Sequence, residues 1–398
     1  MNSSAAFQTE LSGNPTGNAN KRSLLLRLIR AAQPITRTEI ASRLDIDKST
    51  VTENVKPLID AGVLREDTLD SGGQGRKPRV LSFAPEQDYF IGVNLGVRHS
   101  QVGITTLKGE IEEEFDFVTP QDAGEALGMV RDRIAELIAA SGERRLRMIG
   151  VSVPGMTDTT NSSLVFAPNL GWRSVDVANS LGVAGVRVVV ENDSTAAAMY
   201  EARMKIRNSN EGLMTNFILV RSGTGIGVGL VIGSEVYRGS GLTRGIAGEF
   251  GHMTIVAGGK QCVCGNRGCW EKYASAAAAA SLYLGDRRLR PGETLPRFVE
   301  IVAKAENGDN RSRRTLEMIG DYLGIGIANV IMGIGIPRVI ISGRLVYGWK
   351  FIEQPLRDAI GRSIVGKTEG WSVEAGSPAG AAIGGALEVA VESYLSTI

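Results

Sequence analysis

One order of strand and helix patterns runs twice through this chain, and that repetition narrows its fold more than any other feature. Residues 89–118, "YFIGVNLGVRHSQVGITTLKGEIEEEFDFV", read as three strands with tight connections at Arg98-His99 and Lys108-Gly109. A helix follows over "AGEALGMVRDRIAELIAAS", then a buried strand, "RMIGVSVPG", then a strand running into a helix, "VRVVVEND" into "STAAAMYEARM". The order returns with "TNFILVRSGTGIGVGLVIGSEVYRG", further helices, the strand "PRVIISG" and more helices. A doubled βββαβαβα unit predicts two α/β lobes around a cleft, with ligands beyond the strand ends between them. The 50 glycines suit so many tight strand connections.

Upstream of the repeat the periodicity is helical. "NKRSLLLRLIRAAQP" carries Leu24, Leu25, Leu28 and Ile29 on one face and stops at Pro34. Thr36 with Glu39 forms a capping box for a second helix, with Ile40 and Leu44 turned inward. After the short turn "DID", Asp47 can cap a third helix that buries Val51, Val55, Leu58 and Ile59 and ends at Gly62. Pro57 inside it predicts a kink. Two short helices across a tight turn form the arrangement that sets a helix in the DNA major groove. The exposed residues there are Lys48, Ser49, Thr50, Thr52, Glu53 and Lys56. "VLREDTLDSGGQGRKPRVLSF" then reads as strand, glycine-rich turn, strand: a wing whose tip carries Arg76, Lys77 and Arg79, suited to phosphates or a minor groove. A tri-helical interaction domain is the other reading, and the basic tip favours DNA. Residues 1–82 hold twelve basic and nine acidic side chains, a surplus of three charges on a chain whose net charge is +1.

A length of 398 residues allows two or three domains, and 43% hydrophobic with 22% charged residues is a soluble globular balance. No apolar run looks long enough to span a bilayer, so no membrane partner is expected. Residues 1–18, rich in Ser, Asn and Gly, read as a disordered leader without the basic end and apolar core of a secretory signal, which predicts a cytoplasmic protein. All three cysteines and one of two histidines fall in "HMTIVAGGKQCVCGNRGCWE". Nine residues separate His252 from Cys262, one separates Cys262 from Cys264, and four separate Cys264 from Cys269. One imidazole and three thiolates make a closed tetrahedral set for a structural Zn²⁺, with Gly265 and Gly268 letting the backbone fold round the ion. The other histidine, His99, stands alone in a turn and reads as incidental.

Together, "EFGHMTIVAGGKQCVCGNRGCWE", "VPGMTD", "PNLGW", "ENDSTAAA" and "GTGIGVG" resemble, in the expected order, the ROK family of repressors, uncharacterised frames and sugar kinases. The resemblance runs from about residue 88 to the end. The winged helix-turn-helix places the chain with the family's repressors of the xylose and N-acetylglucosamine type. The resemblance implies an α/β, actin-like (hexokinase-like) ATPase fold, assembled as a homodimer or dimer of dimers. It divides the chain into a winged helix-turn-helix DNA-binding domain over 19–84, a first lobe over 88–205 and a second lobe over 206–398 that holds the zinc site, with the last helix a candidate to pack back on the first lobe. It also implies a sugar site formed by Asn169, Asn192, Asp193, Glu249, His252 and Glu271. Sugar hydroxyls both donate and accept, so amides and carboxylates suit them; the plainer role of "END" before a helix is an N-cap.

Asp193 matches the general base of the family's kinases. The first-strand turn, Asp-x-Gly-Gly-Thr in those kinases, is here Asn94, Leu95, Gly96, Val97, Arg98. The carboxylate for Mg²⁺, the glycine that lets a phosphate approach and the threonine hydroxyl are all replaced, which predicts a degenerate ATP site and no catalysis. The expectation is therefore a regulator, a repressor of carbohydrate genes, whose DNA affinity answers to a sugar or sugar phosphate between the lobes. A sugar kinase with an added DNA-binding head, and a constitutive DNA binder, are the alternatives.

Overall fold

The computed structural model describes residues 18–69, 78–84, 87–208, 214–239, 246–289, 292–379 and 381–398, with side chains from residue 21 onward. The N-terminal head comprises helix α1 (Asn18–Ala32), strand β1 (Ile35–Thr36), helices α2 (Arg37–Leu44) and α3 (Lys48–Asp60), and strands β2 (Leu64–Thr68) and β3 (Arg79–Phe83) in the antiparallel order β1-β3-β2. The capping box is formed: the Glu39 amide donates to Thr36 Oγ1 at 3.2 Å, and the Thr36 amide donates to Glu39 Oε2 at 2.8 Å. Asp45 closes α2 in the left-handed conformation, at φ 51°. One expectation needs correction: Asp47 holds the N-cap position of α3 without a side-chain hydrogen bond to the helix. Pro57 lies inside α3, which continues to Asp60. Glu53, whose carbonyl loses its donor there, and Pro57 are both exposed, so water can take the free acceptor. The wing tip with Arg76 and Lys77 lies outside the described residues.

The first lobe runs β4 (Asp88–Leu95), β5 (His99–Thr106), β6 (Ile111–Val118), α4 (Ala123–Ala140), β7 (Arg145–Val153), a small sheet of β8 (Met156–Asp158), β9 (Ser163–Ala167) and β10 (Trp172–Val175), α5 (Val177–Leu181), β11 (Arg187–Asn192) and α6 (Asp193–Asn208). The second runs β12 (Phe217–Ser222), β13 (Ile226–Ile232), β14 (Glu235–Val236), α7 (Glu271–Ala274), α8 (Ala278–Leu284), α9 (Phe298–Glu306), α10 (Asn310–Ile334), β15 (Arg338–Gly343), α11 (Trp349–Arg362), β16 (Ser372–Ala375) and α12 (Ala381–Leu395). The main sheets are ordered β11-β7-β4-β5-β6 and β16-β15-β12-β13-β14, each with two parallel and two antiparallel pairings in the same places. The repeat read in the sequence is thus a repeat of topology. The β8–β10 sheet is an insertion that the periodicity did not reveal.

The closing helices of the two lobes are exchanged. Helix α6 follows the last strand of the first sheet but packs on β12 and β13 of the second. Helix α12 follows the last strand of the second sheet and packs on β4 and β7 of the first. They cross closely because Gly385 has no side chain: a Cβ there would stand 2.8 Å from the Ala196 carbonyl carbon. Helix α10 is long and apolar enough to cross a membrane, contrary to the reading of the sequence. Its Leu316, Ile319, Leu323 and Ile327 instead fill the core of the second lobe.

The head is docked on this crossed pair. Leu25, Leu28 and Ile29 of α1 share one hydrophobic cluster with Phe90, Met148, Ile206 and Val391. Burial of that surface is the main attraction. Beside it, Glu388 of α12 accepts from Arg30 of α1 through both oxygens and from Arg203 of α6 at 2.8 Å. All three side chains are buried. Burial opposes the Glu388 charge, but Arg30 and Arg203 outweigh it and hold the carboxyl below its usual range. Nearer the surface, Arg27 donates to Glu392 at 2.5 Å and to the Ser234 carbonyl at 2.7 Å, and Arg43 reaches the Ile206 carbonyl at 2.8 Å.

Candidate ligand cleft and metal centre

A cavity of about 440 Å³ opens between the lobes, bordered by the turns after β4 and β12, the start of α6 and the segment 249–271. All six residues assigned to a sugar, Asn169, Asn192, Asp193, Glu249, His252 and Glu271, border it. Asn192 is partly committed to the fold. Its Oδ1 accepts from the Ser194 and Thr195 amides at 2.8 and 3.2 Å, capping α6, and its Nδ2 donates to the Gly155 carbonyl at 2.9 Å. One amide hydrogen is left for a ligand. The turn Gly223–Gly227 lies directly over the site: a Cβ on Gly225 would meet Glu271 Oε2 at 2.4 Å. Three carboxylates crowd here. Burial, then Asp193 and Glu271, push Glu249 up to about 7.

His252 belongs to the cleft and to a second group. It offers one ligand atom, as do Cys262, Cys264 and Cys269, and the four atoms lie within 4.8 Å of one another. His252 Nδ1 is 3.6 Å from Cys262 Sγ, and Cys264 Sγ is 3.7 Å from Cys269 Sγ. A tetrahedral ion with metal–sulfur bonds of about 2.3 Å and a metal–nitrogen bond of about 2.0 Å would set these edges at about 3.5 and 3.8 Å. The donor set therefore fits a metal. The other ring nitrogen, Nε2, is 3.7 Å from Glu249 Oε2. Local structure explains the shape. The chain reverses at Gly265 and Gly268, both at positive φ, and the Cys262 amide donates to the Asn266 carbonyl at 2.9 Å. Trp270, next to Cys269, is fully buried and donates from Nε1 to the Tyr322 carbonyl at 2.9 Å, pinning the loop to α10.

Two side chains on the β4 and α6 side of the cleft are engaged by the protein itself. Asn94 is spent within the protein: Ser152 Oγ donates to its Oδ1 at 3.1 Å, and its Nδ2 donates to Gln101 at 3.1 Å. Asp193, which the sequence resemblance matches to a kinase base, carries Arg221 on Oδ2 at 2.5 Å. Arg221 was missed in the sequence, where it stands as a lone charge in the apolar strand "FILVRS". His99 is not solitary either: its Nδ1 lies 3.0 Å from Asp116 Oδ1.

On the head, Lys48, Ser49, Thr52, Glu53 and Lys56 lie on the exposed side of α3, and Thr50 is half-buried. The Thr52 hydroxyl donates to the Lys48 carbonyl at 2.9 Å. Arg79 sits at the start of β3 with its guanidinium 3.2 Å from Glu66.

Comparison with known proteins agrees with this anatomy. The helix-turn-helix domain pattern matches residues 17–67, and the ROK family pattern matches residues 90–392. The xylose repressor of Bacillus subtilis is 30% identical over 342 residues, 85% of each chain. The crystal structure of a ROK family transcriptional regulator, a homolog of the E. coli MLC protein, superposes with a TM-score of 0.75 at 22% identity over 95% of this chain and 96% of that one. A ROK family glucokinase from Streptomyces griseus, solved with glucose and AMPPNP, superposes with a TM-score of 0.63 at 27% identity and covers 76% of this chain and 99% of its own. The duplicated fold, the His/Cys cluster and the family pattern over three quarters of its length agree: the chain belongs to the ROK family, with a helix-turn-helix domain at its N-terminus.

Proposed function

We propose that the protein is a sugar-responsive transcriptional regulator, a repressor of carbohydrate-metabolism genes acting in the cytoplasm. One observation carries the coupling. Helix α6 begins at Asp193 in the cleft and bears Arg203, which shares Glu388 with Arg30 of the head. The ten residue steps from one to the other span about 15 Å of unbroken helix. A ligand that changes the angle between the lobes moves α6 against α12, and the head rests on both. Such a shift alters DNA affinity by as much as the ligand's binding differs between the two arrangements.

The sugar is held by Asn169, Asn192, Asp193, Glu249, His252 and Glu271. Zinc is held by His252, Cys262, Cys264 and Cys269; when bound it fixes the orientation of His252, whose Nε2 faces Glu249 and the cleft. Lys48, Ser49, Thr50, Thr52 and Lys56 meet the operator from α3, with Arg76, Lys77 and Arg79 from the wing. A homodimer, or dimer of dimers, presents two such heads to a pseudo-palindrome. The xylose repressor similarity and the helix-turn-helix support this reading. The kinase alternative, supported by the glucokinase similarity, meets the engaged Asn94 and the Arg221–Asp193 pair. A gel-shift titration of operator DNA against sugars and sugar phosphates tests the proposal: operator affinity should change with one class of sugar, and indifference to all of them would end it.

A further inference from the structure

The joint between head and lobes holds a second cavity, of about 200 Å³, that shares no lining residue with the cleft. Met199, Ala202 and Ile206 of α6, Val231 of β13, Val236 of β14 and Met214 give it an apolar wall. Arg27 stands at the rim with Glu235 and Glu392, and the Glu235 side chain is 47% exposed. The deeper lining arginines are Arg30 of α1 and Arg203 of α6, which are buried.

These two cations share one carboxylate, Glu388, so the buried trio carries one positive charge in excess. The Nε of each arginine is also buried and has no acceptor among the described residues. Other arginines of the chain leave Nε buried in the same way, but these two share a counter-ion and border one cavity. Desolvated N–H groups and an unbalanced buried charge both call for an anion. The rim supplies it only weakly, because Glu235 and Glu392 are both bound to Arg27 and water screens Glu235. The apolar wall limits what the anion can carry. A dry apolar cavity of about 150 Å³ takes benzene, so about 200 Å³ suits a ring or a branched chain bearing one carboxylate. A phosphate or a dicarboxylate would bring more charge than the trio lacks. A sugar would leave hydroxyls against Ile206 and Val231 without partners.

We propose that this joint cavity binds a small apolar monocarboxylate, an aromatic or branched-chain acid, with its carboxylate on Arg30 and Arg203 and its hydrocarbon against α6 and β13. Such an acid touches the head through Arg30 and the lobes through Arg203. It therefore binds the docked head in preference to the undocked one, and stabilises docking by that difference. Helix α6 lines both cavities, with Asp193 in the cleft and Met199, Ala202 and Ile206 at the joint, which makes the acid a second input to the head. The site stands independently of what the cleft holds.

Isothermal titration of the full-length, metal-replete protein tests the assignment, with benzoate, phenylacetate and isovalerate beside their amides and acetate. At least one acid should bind about tenfold or more tightly than its own amide, and than acetate, which has the charge without the hydrocarbon. Ala202→Phe fills the cavity from a half-buried position on α6 and should weaken that acid about tenfold. Arg203→Met leaves Arg30 and Glu388 balanced one to one, and should lower the acid-to-amide ratio about tenfold. Melting curves without ligand check that both variants are folded. Saturating acid should also slow proteolytic release of the head from the wild type, a measurement that needs no variant. Amides binding as tightly as their acids, or a ratio unmoved by Arg203→Met, would overturn the role given to the buried charge. Affinity untouched by Ala202→Phe, or head release unchanged at saturation, would put the acid elsewhere and overturn the site. No acid binding below about 10 mM would overturn it outright.

Discussion

Replacing Glu388 with glutamine would remove the single carboxylate that two arginines share beneath the head. The side chains of Arg30, Glu388 and Arg203 are 1%, 2% and 8% exposed, so water cannot take over the broken contacts. Three N–H donors now end on the carboxylate, two from Arg30 and one from Arg203. A glutamine offers one acceptor oxygen and adds two donors, leaving two buried cations without a counter-charge. Breaking a buried pair in this way costs on the order of 3–5 kcal/mol, and here the loss falls on the joint between head, α6 and α12. Thermal and urea unfolding followed at several probes should show a midpoint well below wild type, and the head should become the first region cut by limited proteolysis. Exchanging all three residues for apolar ones of similar volume should recover most of the stability but not the sugar dependence of DNA binding. The acid response follows the same interaction. Because the folded carboxyl sits below its unfolded value, its contribution is present above the unfolded value and is lost as pH falls through the folded one. The wild type should therefore lose head docking in acid, and Glu388→Gln should lack that step. A variant within 1 kcal/mol of wild type, with the head equally protected, would refute the argument.

Other outcomes can be checked separately. Metal analysis should find one zinc per chain, and Cys264→Ser should lose it and lower the melting temperature of the second lobe; wild-type protein free of zinc would contradict this. Lys56→Ala should weaken operator binding and reduce the slope of log affinity against log salt by about one, whereas an unchanged slope would place Lys56 away from the phosphates. Incubation with ATP, Mg²⁺ and glucose, N-acetylglucosamine or N-acetylmannosamine should give no turnover; turnover abolished by Asp193→Asn would restore the kinase reading. Trp270→Ala should destabilise by about 3–5 kcal/mol, measured by denaturant unfolding, because a fully buried indole anchors the cysteine loop.

Periodicity and turn chemistry made much of this molecule legible. Alternating apolar runs broken by glycine announced both sheets, and Thr36 with Glu39 marked a helix start that the side chains indeed close. The metal group could be read because its spacing is local, and its ligand atoms do meet. What stayed hidden depends on distance along the chain. Arg30, Arg203 and Glu388 each looked like an ordinary helix charge, because no local pattern reveals a partner hundreds of residues away. Asp193 was identified, but its occupation by Arg221 was not, since that contact exists only once β12 is laid beside the start of α6. The strands β8–β10 are too short and too irregular to carry a period.

Arg30 and Glu388 are separated by 358 residues of chain. At synthesis rates of about 5–20 residues per second, roughly 20 to 70 s pass between the making of one and of the other. Throughout that interval the newly made head can gather its own core and the partners from the first lobe, but Leu25, Leu28 and Ile29 lack Val391 of the closing helix and Arg30 lacks its counter-charge, so the joint is the last contact of the head to be completed.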